Sequence, residues 1–385
     1  MNKISLRSGH IQIGQPLQWD IYNEQGELLL KKGNIVHTAH QLNALIERGL
    51  FAEANEIDIG KVHREKAAVH QRAVVPELPS IIRMLNGVAH QLGPLLYSLH
   101  HQSDAQNSIM DVAKEVVRTT NLNPNIALAS IFLNHAIADH AIRHSLNVAI
   151  ISILVGKVMK KSEDELSALV AAALTMNLSM LRKQNEYQER SDALTEYERE
   201  AIQQHPHESV RMLELAGVTN QDWLSSVLHH HEFEDGSGYP FGKTADAIPQ
   251  NAKILTLSDM FCARVTGRSY RKPLLPNGAL RNLFVDEQAK VDKKLAPYFI
   301  GAIGFYPSGT SVKLQNGEMA IVTYQGHSPQ TPVVQSYLGP FGAPLAFPIK
   351  RDTLNSRFAI IQAISLEDAP LCFSMHQIWG NEAAS

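Results

Sequence analysis

The sequence predicts a mainly α protein, in which an all-helical bundle core carries small β-rich appendages at its N-terminal and C-terminal ends. From about Leu78, apolar residues recur at three- and four-residue steps through a long series of segments, which is typical of packed helices. Residues 1–60 and 304–385 instead alternate apolar positions around turn-forming residues. With 385 residues, 44% of them apolar, the chain is long enough for one large domain with appendages, or for two to three domains with their own cores.

The first 60 residues are predicted to form a small β-rich module followed by one helix. Ile11–Gly14 and Leu28–Leu30 flank the turn-forming segment Asn23–Gly26, which is typical of hairpin strands. Gln41–Gly49 places its apolar residues on one helical face and ends in a glycine. No residue in this module has catalytic spacing, so we expect a docking, dimerisation or input role.

A polar segment at residues 61–77 is predicted to link this module to a helical domain at residues 78–303. Ser162–Glu165 and Thr195–Glu198 both have the pattern of a capping box, in which a hydroxyl residue stands three positions before a glutamate. A helix is therefore expected to begin at each of these two sites.

The C-terminal residues 304–385 are predicted to form the second β-rich appendage. Apolar residues alternate around Asn316-Gly317, a pair that favours a tight hairpin turn. Phe358–Ile364 is a further predicted strand.

The segment Leu228–Gly242, LHHHEFEDGSGYPFG, is the most unusual in the chain. Three consecutive histidines end an apolar helix, and imidazoles in that position can bind a metal. The glycines and proline that follow then force a loop whose backbone can approach a ligand closely. A histidine run taken alone is more often a solvated surface patch than a metal site.

The string His230–Pro240, HHEFEDGSGYP, closely resembles the signature of the HD-GYP family, a branch of the HD metal-dependent phosphohydrolases. Members of that family hydrolyse the bacterial messenger cyclic di-GMP. The resemblance covers about Ile131–Lys272, with weaker support as far as Gly326. It implies an HD-type helical core, and a β appendage after that core is similar to those of many family members.

The resemblance also implies a set of metal ligands. His144 matches the first metal histidine, in the phrase HSLNVA, and His205 matches the histidine of an HP motif. His230 and His231 match the paired histidines, and Asp259 matches the last ligand. Histidines with one carboxylate suit iron, manganese or zinc.

Each of these positions has a structural interpretation as well. His205 precedes Pro206, a pairing that favours extended backbone and helix starts, so His205 could cap a helix. Asp259 could be a structural hydrogen-bonding group within an apolar helix. His140 lies four residues before His144 on one helical face, a spacing that can chelate metal but is often coincidental.

The chain departs from the family pattern at its name-giving motif. Met176 and Asn177 stand where the family has histidine and a metal-bridging aspartate. His140 replaces a frequent glutamate and is a further candidate ligand, while Cys262 replaces a second aspartate. A thioether and a neutral amide cannot supply the bridging charge, so fewer ions than in active members are expected.

A second set of residues is implied in ligand or partner binding. In the loop these residues are Asp235, Gly236, Gly238, Tyr239 and Pro240, and the family's loop is implicated in contacts with GGDEF-type cyclase domains. Downstream, Arg268, Arg271 and Lys272 match a basic segment suited to phosphate oxygens, or form a solvated basic loop.

The composition narrows the partners further. A net charge of −3 gives no support to nucleic-acid or membrane-surface binding. The two cysteines, Cys262 and Cys372, form no CxxC pair, which fits a reducing cytoplasm. A homodimer is a further candidate assembly.

Three functional hypotheses follow. The first is a degenerate HD-GYP signalling protein, catalytically impaired, that binds cyclic di-GMP or a GGDEF-type partner. The second is an active metal-dependent phosphodiesterase in which His140 and Asn177 rebuild the metal cradle. The third is a scaffold that binds neither metal nor nucleotide.

Overall fold

The computed structural model describes residues 3–5, 11, 15–17, 19–23, 26, 28–34, 36, 42, 45, 51–53, 79–102, 104–267, 272–365 and 373–385. The predicted linker 61–77 lies outside the described residues, as does most of the predicted helix Gln41–Gly49, of which Leu42 and Leu45 are described and helical.

The middle of the chain is built from α-helices. In chain order they are α1 (Ile81–Tyr97), α2 (Ala105–Leu122), α3 (Pro124–Leu133), α4 (His140–Val158), α5 (Glu163–Thr175), α6 (Leu181–Glu189), α7 (Glu196–Leu215), α8 (Gln221–His229), α9 (Gln250–Val265), α10 (Pro276–Arg281), α11 (Ala296–Ile303) and, near the C-terminus, α12 (Met375–Trp379). The predicted mainly α class is therefore confirmed.

Helix α4 is the centre of the bundle. It packs against α5, α9 and α11, and nearly all of its residues are buried. Within the described part of the chain it alone has the length and hydropathy of a membrane span, but 83% of that stretch is buried inside the fold. The surrounding helices thus account for its apolar character, as they do for the core helix of a globular domain.

Helix starts follow the local sequence. Both predicted capping boxes are present, with Ser162 and Glu165 bonded reciprocally at α5 and Thr195 and Glu198 bonded in the same way at α7. At α4, the Asp139 side chain accepts from the backbone N–H of Ile142. These caps satisfy amide groups that would otherwise lack partners at the helix ends.

Two antiparallel sheets flank the helices. The N-terminal sheet has the strands β1 (Lys3–Ser5), β2 (Ile21–Tyr22), β3 (Leu28–Leu30) and β4 (Phe51–Glu53) in the order β1-β4-β2-β3. The C-terminal sheet has β5 (Ser311–Leu314), β6 (Met319–Tyr324), β7 (Val333–Leu338), β8 (Pro344–Asp352) and β9 (Ile360–Ile364) in the order β8-β7-β6-β5-β9.

The predicted Asn316-Gly317 turn joins β5 to β6, with Lys313 paired to Met319 and Gly317 at a positive φ of 88°. The strand predicted at Phe358–Ile364 is shorter than expected, because Ser356–Phe358 forms a 3₁₀ turn.

Candidate metal and ligand site

His205 lies inside α7, so the expectation that it caps a helix start is wrong. Helix α7 continues through Pro206, which has no backbone N–H to offer the carbonyl of Ile202, four residues earlier. The His205 ring takes this free acceptor, with its Nδ1 2.5 Å from the Ile202 oxygen. Since a carbonyl only accepts, Nδ1 carries the proton and Nε2 keeps a lone pair.

His230 is oriented in the same way. It follows the last residue of α8, and its Nδ1 donates to the Val227 carbonyl at 2.6 Å. The Thr256 hydroxyl of α9 donates to the His230 carbonyl at 2.7 Å, which fixes the backbone as well. Its Nε2 therefore also presents a lone pair.

The two Nε2 atoms of His205 and His230 are 3.2 Å apart. Burial, followed by the neighbouring His230, lowers the pKa of His205 to about 3, and burial lowers the pKa of His230. Both rings are thus neutral at pH 7, and the lone pairs face each other without a proton between them. Two imidazole nitrogens bound to one tetrahedral zinc ion would lie about 3.3–3.4 Å apart, given Zn–N bonds of about 2.0–2.1 Å.

His231 completes a group of three. Its ligand atoms and those of His205 and His230 all lie within 4.8 Å of one another. Burial, and then the neighbouring His230, hold the pKa of His231 well below its usual value. Three neutral imidazoles, two of them oriented by backbone carbonyls, form a donor set that fits a divalent transition metal, and carbonyl bonds of this kind strengthen such ligands.

His144 and Asp259 form a separate pair beside this group. His144 Nε2 lies 2.7 Å from Asp259 Oδ1, and their side chains are 5% and 15% exposed. Burial alone would raise the pKa of Asp259, but the bond from His144 and the nearby histidines outweigh it and hold this pKa below its usual value. The carboxylate is therefore ionised at neutral pH.

Met176 and Asn177, which replace the family's histidine and aspartate, lie in different environments. Met176 is fully buried in the apolar core of the helical bundle. Asn177 lines the cavity at the site, as does His140, whose ring centroid is 6.1 Å from that of His144. Cys262 is buried, and burial keeps its pKa well above the usual value, so the thiol stays protonated.

The glycine-rich loop folds back onto the histidines. Tyr239 donates its backbone N–H to the His231 carbonyl at 3.0 Å, and its ring centroid lies 4.7 Å from that of His231. A Cβ on Gly238 would come within 2.4 Å of that same carbonyl oxygen, so only glycine allows this approach. Tyr239 thus forms part of the cavity wall beside the group of three histidines, His205, His230 and His231.

Sequence reasoning missed the residue that holds this loop in place. Glu232 is 2% exposed, and its two carboxylate oxygens accept from the backbone N–H groups of Phe241 and Lys243, both at 2.8 Å. The sequence offered one indication of this role, since Glu232 stands between the paired histidines and the glycines of the loop.

The remaining predicted ligand residues lie apart from the cavity wall. Asp235 is exposed and accepts from the Ser237 backbone and hydroxyl, while Gly236 stands at a positive φ of 77°. Pro240 follows Tyr239 in the loop. Lys272 is exposed and does not line the cavity, and Arg268 and Arg271 lie outside the described residues.

A cavity of about 510 Å³ lies at this site. His140, His144, His205, His231, Tyr239 and Asp259 line it, together with residues that sequence reasoning did not identify, chiefly Gln184, Tyr187, Gln188, Arg190 and Arg199. The latter come from α6, the α6–α7 connection and α7. The sequence offered little indication of the residues in α6, because this helix is polar and carries no motif.

Comparisons with known proteins agree on one family. A family model for the HD domain matches residues 104–295. The cyclic di-GMP phosphodiesterase PA4108 of Pseudomonas aeruginosa is 25% identical over 246 residues, which are 64% of this chain and 58% of that protein. The cyclic di-GMP phosphodiesterase PdeB of Borreliella burgdorferi is 28% identical over 198 residues, 51% of this chain and 52% of that protein.

A third relative is named for a different nucleotide. The 3'3'-cGAMP-specific phosphodiesterase 3 of Vibrio cholerae is 30% identical over 138 residues, 36% of this chain and 30% of that protein. The chain spans about half the length of the first two curated relatives. Among solved structures, Bd1817, an HDG"Y"P protein from Bdellovibrio bacteriovorus, aligns with 77% of this chain and 98% of its own, at 14% identity and a TM-score of 0.49.

Proposed function

Since the chain belongs to the HD-GYP branch of the HD domain family, we propose that it is a signalling protein that binds a cyclic dinucleotide over a residual metal site and is impaired in hydrolysis. The observation that carries this proposal is the environment of Asn177. This neutral amide faces the cavity beside His144 and Asp259, where the family resemblance places a bridging carboxylate.

Three histidines would hold the metal. His205, His230 and His231 are neutral and close together, and backbone carbonyls orient the rings of His205 and His230. A divalent ion bound there would supply Lewis acidity toward a phosphate ester. A second ion would lie close to the first, and without the bridging charge at Asn177 the repulsion between two dications is poorly compensated.

The cavity supports nucleotide binding. Its volume of about 510 Å³ is typical of small-molecule sites. Two guanidinium groups, those of Arg190 and Arg199, lie in its wall. Arg190 is already bonded to Asp192 and Glu198, whereas Arg199 has no ion pair among the described residues and is the better phosphate ligand.

Partner binding through the loop is the second half of the proposal. Phe241, which follows the Tyr239-Pro240 pair, is 55% exposed although the backbone around it is held by the buried Glu232. A fixed backbone that presents an exposed aromatic ring suits recognition of another protein, for which a GGDEF-type domain is the candidate.

An active phosphodiesterase is the alternative function. It is favoured by the names of the curated relatives and by the position of His140, which lines the cavity with Asn177 and His144. In this case His140 and Asn177 together would replace the missing donors, and Arg199 would stabilise charge on the phosphate.

Direct measurement separates the two functions. The purified chain is titrated with cyclic di-GMP and assayed for its hydrolysis with added manganese or iron. Binding that persists without turnover supports the proposal, and turnover that His230→Ala abolishes supports the alternative. His207→Ala, an exposed histidine on α7 two residues from His205, is the matched control. A chain that binds neither nucleotide nor a GGDEF-type domain refutes the proposed function.

A further inference from the structure

One face of α6 lines the cavity with polar side chains. Gln184 and Gln188 are one helical turn apart, so they project from the same side of the helix, and Tyr187 lies beside them. All three share the cavity with His144 and Asp259. A molecule bound in this cavity would therefore lie between this face of α6 and the pair His144 and Asp259.

Two acceptors on this face lack donors among the described residues. The side-chain oxygens of Gln184 and Gln188 are buried and have no hydrogen-bond partner within the described part of the chain. The orientation of Gln188 is fixed, because its amide nitrogen donates to the Gly267 carbonyl at 2.6 Å, which leaves the oxygen as the free end. Buried carbonyls without donors cost free energy, and native proteins usually pair them with water or a ligand.

The chemistry of these acceptors selects the part of a nucleotide that they contact. Phosphate oxygens only accept hydrogen bonds, so they do not suit an amide oxygen. The Watson–Crick edge of guanine carries two adjacent N–H donors, at N1 and at the N2 amino group. Adenine offers one donor there, its N6 amino group, next to an acceptor. Two acceptors on one helix face therefore match guanine.

We infer that Gln184 and Gln188 read the Watson–Crick edge of a guanine base and give the cavity its preference for guanine-containing cyclic dinucleotides. This inference rests on the proposed nucleotide-binding function and names the residues that set its specificity. Tyr187 also lines the cavity and would border this base.

The test compares two nucleotides that share ribose and phosphate but differ in the base. The full chain is titrated calorimetrically with cyclic di-GMP and with cyclic di-AMP, as the wild type and as Gln184→Met, which keeps the side-chain length but removes the acceptor. Gln91→Met, an exposed position on α1 outside the cavity, is the matched control. The thermal unfolding midpoint of each ligand-free protein is recorded as well.

We expect Gln184→Met to weaken cyclic di-GMP binding about 10-fold, the loss of one hydrogen bond, while cyclic di-AMP binding changes less than about 2-fold. The variant should unfold no earlier than the wild type, because the removed oxygen has no partner among the residues that the structure describes. Equal losses for both nucleotides, or no loss for either, would overturn the inference while leaving nucleotide binding intact. A wild type that binds neither nucleotide would overturn the proposed function together with the inference.

Discussion

Replacing Pro206 with alanine tests how the ring of His205 is oriented in the candidate metal site. In the wild type, Pro206 leaves the Ile202 carbonyl without its helical donor, and His205 Nδ1 occupies it at 2.5 Å. Pro206→Ala restores a backbone N–H that competes for this carbonyl. The imidazole of His205 is then less firmly held with Nε2 directed at His230.

Pro206→Ala should raise the stability of the protein but lower its affinity for metal. A proline in a helix interior is about 3 kcal/mol less favourable than alanine, and about 1 kcal/mol of this is returned because proline also restricts the unfolded chain. Pro206→Ala should therefore stabilise the metal-free protein by about 2 kcal/mol. Loss of an orienting hydrogen bond on a histidine ligand should weaken metal binding about 10- to 100-fold.

The assay is a competition titration with a chromophoric chelator, together with thermal unfolding of the metal-free protein. Pro94→Ala is the matched control, because Pro94 also lies inside a helix but in α1, away from the cavity. Both variants should gain stability, and only Pro206→Ala should lose metal affinity. Equal metal affinity in all three proteins would refute the role assigned to Pro206.

Further predictions concern the loop and the C-terminal sheet. Glu232→Gln removes the charge that holds two backbone amides, so binding of a GGDEF-type domain in a pull-down should fall about 10-fold while the fold persists, and unchanged capture would count against this role. Gly238→Ala should cost about 1–3 kcal/mol of stability, because its Cβ would meet backbone atoms, whereas Gly278→Ala, with open space around it, should cost nothing in the same thermal scan. Burial raises the pKa of Glu318, but the hydrogen bonds and charge of Arg351 together with the bond from Ser336 outweigh burial and lower this pKa, so the stability contributed by Glu318 is complete above pH 4.5 and is lost as the pH falls below that value. Glu318→Gln should cost about 2–3 kcal/mol at pH 7, since it leaves Arg351 unpaired, and should flatten the dependence of stability on pH below 4.5; an unchanged pH profile would contradict this.

Local sequence signals predicted much of the fold. The capping boxes at Ser162 and Thr195 and the turn at Asn316-Gly317 depend on neighbouring residues alone, and all three are confirmed. Membership of the HD-GYP family is likewise confirmed by the HD domain match and the phosphodiesterase relatives. His205 shows the limit of such rules, because tertiary packing keeps α7 continuous where the residue before a proline usually leaves the helix.

The candidate site was less accessible to sequence reasoning. The motif named the histidines, but not that three of them form one group while His144 pairs with Asp259. This division depends on contacts between residues far apart in the sequence, such as the bond between His144 and Asp259. Gln184 and Gln188 carry no motif, and their importance appears only when α6 is placed against the cavity.

The proposed impairment is tested most directly by counting metal ions per chain in the wild type and in Asn177→Asp, with a cyclic di-GMP hydrolysis assay on the same samples. We expect no more than one ion and no linear product formation in the wild type. Asn177→Asp should bind a second ion and gain turnover, because it returns a carboxylate to the cavity beside His144 and Asp259. Two ions and linear product formation in the wild type would contradict the proposal and establish the active phosphodiesterase.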